Sequence, residues 1–131
     1  MARVERHDPF GGAYGAALAV EAGDFMFTSV SGVVALREGI PVFADTFDEQ
    51  LILAGRHAAT ELAGLGFATG DIVDAMVFVH PSVEIDPGLL LDELYLHVFG
   101  ETAPTLTITR AASIYDASLI VIKITAFKSS R

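Results

Sequence analysis

Two apolar-rich stretches stand early in the chain, residues 15–21 (GAALAVE) and 25–31 (FMFTSVS), with Ala22, Gly23 and Asp24 between them. Aromatic and β-branched residues favour extended backbone in the second, so the pair predicts a hairpin. Residues 33–36 add a short extension before a turn at Glu38 and Gly39. A helical period follows. Leu51, Ala54, Ala58, Leu62 and Leu65 recur at three- and four-residue steps, the buried stripe of an amphipathic helix. Thr46, with Glu49 three residues on, is a capping-box pattern, and Gly64 and Gly66 end the segment.

Residues 71–80 (DIVDAMVFVH) return to strand, with Val73, Ala75, Val77 and Val79 alternating against Asp74 and Met76. Asp86 followed by Pro87 reads as a helix N-cap with proline at the first helical position. Leu90, Leu91, Leu94 and Val98 supply that helix's apolar stripe, and Gly100 stops it. Two more strands follow, 105–111 (TLTITRA) and 119–127 (LIVIKITAF). The order β-β-α-β-α-β-β predicts an α+β fold with both helices on one face of a mixed sheet, because a crossover between strands of one sheet is right-handed. The other face carries apolar residues too, Ile120, Ile122 and Ile124 or their alternates. A closed homo-oligomer whose sheets enclose a common barrel would cover it.

At 131 residues and 52% apolar content, residues 1–131 form a single domain with more apolar residue than so small a monomer hides easily. There is no cysteine, which excludes disulfides and thiolate-held zinc. His7, His57, His80 and His97 lack paired metal-ligand spacing, so no metal is expected; His80 reads as a surface histidine or one reaching an interface cleft. The net charge of −9, with acidic residues dispersed and only eight Lys and Arg, repels nucleic acid and favours solubility. The charged start of the chain is unlike a signal peptide, and no apolar run is long enough to span a bilayer, which reads as a cytoplasmic protein with no membrane partner. No G-x-S-x-G elbow suggests a serine hydrolase.

Several strings bring a family into view. Tyr14 stands just before the first predicted strand, and Gly23 through Ser29 (GDFMFTS) follows it. Asp92-Glu93-Leu94-Tyr95 runs on to Phe99-Gly100, and Ala117 through Ile122 (ASLIVI) opens the last strand. In order and spacing these strings resemble the RidA/YjgF family of enamine and imine deaminases, formerly called the endoribonuclease L-PSP family, over nearly the whole chain. The resemblance implies a chorismate-mutase-like homotrimer with a cleft for a small-molecule ligand at each subunit interface. It also implies cofactor-free deamination, in which a strand arginine holds the substrate carboxylate while water attacks an imine carbon. Guanidinium geometry suits that task because it meets a carboxylate with two parallel donors.

The chain departs from that pattern at the arginine. The family's P-A-R entry to the penultimate strand is Pro104-Thr105-Leu106 here, so Leu106 takes the arginine's place. A glutamate of the closing strand becomes Val121, and the second helix's asparagine becomes Asp92. Val30 takes the place of the glycine after Ser29, unless a small insertion makes Gly32 its equivalent. Arg110 lies on the same strand face as Leu106, but four residues away, about 13 Å at ~3.3 Å per residue. A carboxylate against leucine loses its hydration without a partner, so 2-aminoacrylate-type deamination is expected to be weak or absent and the cleft to favour a less anionic ligand.

The candidate catalytic residues are Asp92 and Tyr14. The first would be an acid or base if its helix lines the cleft, and the second a cleft aromatic; otherwise they are an exposed helix carboxylate and a half-buried ring. Candidate substrate-binding residues are Ser29, Ser31, Gly32, Leu106, Thr107, Arg110, Tyr115 and Val121. Tyr115 is weighed as a lid or as simple turn packing, and Arg110 as a stand-in or as a strand-end charge. The expected function is a divergent enamine- or imine-type deaminase or hydrolase with an altered substrate. The alternative is a non-catalytic, trimeric metabolite-binding protein.

Overall fold

The hairpin predicted around the Ala22-Gly23-Asp24 turn is β2 (Leu18–Ala22) and β3 (Phe25–Ser31), paired antiparallel from Leu18 opposite Ser29 to Ala22 opposite Phe25. The computed structural model describes residues 4–7 and 18–128. The start of the predicted first strand and Tyr14 lie outside them. Strand β1 (Val4–His7) extends the sheet beyond β2. Its sequence VERH has no apolar period, and its pairing comes from β2's open edge rather than from any pattern of its own. A separate two-stranded hairpin follows, β4 (Val33–Arg37) with β5 (Ile40–Phe43). Glu38 and Gly39 turn it with positive φ of 52° and 78°, the pair of left-handed residues a two-residue hairpin loop needs. Strand β5 was missed in the sequence because Pro41 interrupts a four-residue run, which a short two-stranded edge tolerates.

Helix α1 (Phe47–Gly64) starts at Thr46, whose hydroxyl oxygen accepts from the Glu49 N–H at 3.2 Å. The same hydroxyl donates to the Glu49 carboxylate at 3.1 Å, so the carboxylate bonds the cap's side chain. Strand β6 (Ile72–Val79) follows a single tight turn at Thr69–Asp71. Helix α2 (Pro87–Leu94) is capped by Asp86, which accepts from Leu89 N–H at 3.1 Å. The periodicity predicts one continuous helix through Val98, but the chain widens into a π turn over Tyr95–Phe99, closed by the Gly100 N–H on the Tyr95 carbonyl at 2.8 Å. Leu90 and Leu94 are buried, whereas Leu91, a third of a turn off that line, is exposed.

Strands β7 (Thr105–Arg110) and β8 (Ile120–Phe127) complete a six-stranded sheet in the order β1-β2-β3-β8-β6-β7. Only β6 and β7 are parallel, so the sheet is mixed. Both helices contribute to one core, where Leu51, Ala54, Ala58, Leu62, Leu90 and Leu94 meet Met26, Val30, Val77, Ile120, Ile122 and Ile124. The isoleucines of β8 therefore face the helices. A bulge between Ile72 and Asp74 turns Val73 outward, against the simple alternation predicted for it. Among the described residues no helix is long and apolar enough to cross a membrane.

Candidate functional site

Register sorts the candidate residues onto two faces. Ser29 lies opposite Lys123, and Val121 lies opposite both Ser31 and Phe78. Thr107 pairs with Met76, which in turn pairs with Lys123. Side chains of directly paired residues share a face, so Ser29, Ser31, Thr107 and Val121 belong to the face away from the helices. Leu106 pairs with Ala75 and Arg110 with Val79, both core residues, and these two face the helices. The sequence argument that Arg110 and Leu106 share a strand face therefore holds, and both are turned away from Val121.

On the open face, Ser29, Phe78, Val121 and Lys123 form the floor of a hollow of about 470 Å³, walled by Ala111, Ala112, Ser113 and Ser118 of the connection between β7 and β8. Two clamps hold that connection. The Gln50 side chain, buried on α1, donates to the carbonyls of Ala117 (2.8 Å) and Ala44 (2.9 Å) and accepts from the Leu119 N–H (2.7 Å). Tyr115 packs its ring on Phe43, centroids 6.1 Å apart, and on Val33, which ties the loop to the β4–β5 hairpin. Gly32 is buried where its missing Cβ would stand 2.3 Å from the Gln50 Cβ, so it admits α1 to the strand.

The other face carries a smaller, largely apolar cavity of about 260 Å³, lined by Val79, Ile85, Pro87, Leu90, Ile108, Thr109 and Arg110. Arg110 donates from Nη1 to the Val83 carbonyl at 2.6 Å. Leu106 is partly buried against the core. Asp92 is exposed, two residues from both Leu90 and Leu94 and so on the far side of α2 from its buried stripe. Within one chain, then, Asp92 does not stand beside Leu106 and Val121.

His80 is not the free surface histidine expected. Its side chain is only 13% exposed, with Nε2 2.9 Å from Asp116 Oδ1 and Nδ1 2.7 Å from Ser82 Oγ. These three residue types together invite a nucleophile reading, but the surroundings oppose it. The Ser82 backbone N–H also donates to Nδ1 at 3.0 Å, and the adjoining hollow carries Asp48, Glu84 and Asp86, the wrong charge for a developing oxyanion. The cluster instead pins the end of β6 to the connection that carries Asp116. Among the described residues no group of three His, Asp or Glu side chains is placed to hold a metal ion.

Gln50, Phe78, Ser118 and Lys123 were not singled out by the sequence reading. Gln50 had a signal, a polar residue four positions before Ala54 on the buried stripe. Phe78 and Lys123 become neighbours through strand pairing, and Ser118 through the connection between β7 and β8.

No protein-family model matches the chain, and no curated protein matches it. Solved structures do. A YjgF/YER057c/UK114-family protein from Mycobacterium tuberculosis superposes with a TM-score of 0.68 at 20% identity, over 95% of this chain and 100% of that one. A YjgF-family protein from Neisseria meningitidis gives 0.66 at 20% identity, over 98% of each chain. TdcF from E. coli, solved with bound serine, gives 0.67 at 21% identity, over 85% of this chain and 86% of that one. Together with the mixed sheet and its two helices, these likenesses give the chain the α+β fold of the YjgF/RidA proteins.

Proposed function

We propose that this chain is a cytoplasmic, homotrimeric small-molecule-binding protein of the YjgF/RidA kind, retuned to hydrolyse an imine or enamine other than the 2-imino acids. The observation that supports the change of substrate is Leu106, which packs against the core where the resemblance puts the guanidinium. Arg110, the nearest substitute on that face, already donates to the Val83 carbonyl. A 2-imino acid would lose its carboxylate's hydration there without gaining a paired donor.

The chemistry needs no cofactor. Water adds to the carbon of the C=N bond, the nitrogen takes up protons and leaves as ammonia, and a carbonyl compound remains. The chain's part is to hold the imine against the cleft and relay protons, for which Asp92 and Tyr14 are the candidates. Serine bound in E. coli TdcF supports a pocket of amino-acid size in this fold. The exposure of Asp92 on the outer side of α2 favours a second reading, a trimeric metabolite-binding protein without catalysis.

The test is ammonia release from freshly generated imines. With 2-aminoacrylate, release should not exceed the uncatalysed rate. With imines lacking a carboxylate, turnover that drops in Asp92→Asn or Tyr14→Phe supports the enzyme, and no turnover supports the binder. Brisk turnover of 2-aminoacrylate would sink the proposal.

A further inference from the structure

The positive charge that Leu106 lacks reappears on the opposite side of the sheet. Lys123 projects from β8 into the open-face hollow, directly opposite Ser29 and beside Val121, Phe78, Ser113 and Ser118. The ion pairs among the described residues are His80 with Asp116 and His97 with Glu93, and neither involves Lys123. The nearest carboxylate along β6 is Asp74, two residues from the Met76 that pairs with Lys123; it accepts from the Thr105 hydroxyl and is not part of the hollow's wall. In a chain with 17 acidic and eight basic residues, an ammonium group in the wall of a hollow whose other lining residues carry no charge is a local positive site.

A second, independent feature points the same way. Ser118 is 97% buried (3% exposed), lines this hollow, and its hydroxyl has no hydrogen-bond partner. Buried hydroxyls are nearly always bonded, because burial removes water without return, so an unmatched one facing a hollow marks a position where an acceptor or donor is to arrive. Ser29 adds a hydroxyl from the floor, while Phe78, Val121, Ala111 and Ala112 supply an apolar lining. A cation, hydroxyl donors and apolar walls in about 470 Å³ suit a small molecule with an anionic end and an apolar body.

We infer that the open sheet face carries a binding site for a small organic anion, carboxylate or phosphate, with its charged end on Lys123, Ser29 and Ser118. The inference extends the proposed cleft, through Ser29 and Val121, to a ligand charge that the leucine at position 106 argues against on the helix side. Lys123 holds the anion as a compact point charge, so it fixes the ligand's end without the two-pronged geometry of an arginine.

Calorimetric titration of the full chain with butyrate, butyl phosphate and butyramide, at constant ionic strength, tests it. At least one anion should bind saturably and about tenfold or more tighter than the neutral amide, roughly the worth of one charge-assisted hydrogen bond. Preference between the two anions tells carboxylate from phosphate. Lys123→Gln should weaken the anion about tenfold, Ser118→Ala by several-fold, and Arg56→Gln, an exposed cation on α1, should leave it unchanged. Lys123 is exposed, so its variant keeps the fold even if Ser118→Ala does not. Three results overturn the inference: equal binding of amide and anions (including none of either), anion binding unmoved by Lys123→Gln, or Lys123→Gln dissociating the oligomer, which assigns the cation to a subunit interface. Titration reads binding alone, so failure of the deamination assay leaves this result standing, and the converse.

Discussion

Leu106 and Val121 lie on opposite faces of one sheet. Leu106 shares Ala75's face, toward the helices, and Val121 shares Phe78's face, away from them. The family resemblance puts both positions in one cleft, so within a single protomer that cleft is incomplete. A pocket using both needs the β7 edge of one subunit to meet the open face of another.

The first prediction concerns the missing guanidinium. Leu106→Arg can keep its stem on the core and send its charged head to the exposed β7 edge. One charge-assisted bond to a carboxylate contributes about 1.5–3 kcal/mol, so 2-aminoacrylate turnover should rise about tenfold or more over the wild type. Coupled ammonia assays check it, and a variant no faster than the wild type would count against Leu106 as the block.

A second prediction concerns assembly. Phe25, Phe27 and Phe127 stand exposed on the open face, with Phe25 4.9 Å from Phe127 and 6.3 Å from Phe27 between ring centroids. Contiguous exposed aromatics on an acidic chain mark a surface that is covered in use. Phe27→Glu should lower the mass seen by light scattering from oligomer to monomer, while circular dichroism keeps its α+β signature. An unchanged mass would place the subunit contact elsewhere.

The amide of Gln50 makes a sharper demand on stability. Gln50→Leu leaves the Leu119 N–H and the carbonyls of Ala117 and Ala44 without the partner they now have at 2.7, 2.8 and 2.9 Å. Three such losses cost about 3–5 kcal/mol, readable as a shifted urea midpoint. The wall of the open-face hollow is anchored by this amide, so the anion titration should weaken in the same variant.

Gly55 reverses an ordinary rule. Alanine normally stabilises a helix interior by about 1 kcal/mol over glycine. Here an added Cβ would stand 2.1 Å from the His97 carbonyl oxygen of the π turn, so Gly55→Ala should instead destabilise by about 1–3 kcal/mol. Thermal melting that leaves Gly55→Ala as stable as the parent would show that the two helices can separate freely.

Residue pattern alone determined much of this protein. The periods of two and near four located β3, α1, α2 and β8, because burial on one side of an element writes itself into the spacing of its own side chains. The caps at Thr46 and Asp86 were legible for the same reason: their bonds reach only three residues along the chain. Strand β1, the Pro41-bearing β5 and the π turn after Leu94 were not: β1 needs the edge of β2 to pair with, Pro41 breaks the short run of β5, and a π turn keeps the apolar spacing of an ordinary helix. The same holds for the site. That Leu106 stands where the resemblance has an arginine could be read along the chain, but which face it takes, and that Lys123 meets Ser29, was decided by register, and the β7–β8 connection brought Ser118 to them. A strand's alternation says that residues differ in face; only its pairing with a neighbour says which face is covered and which stays open.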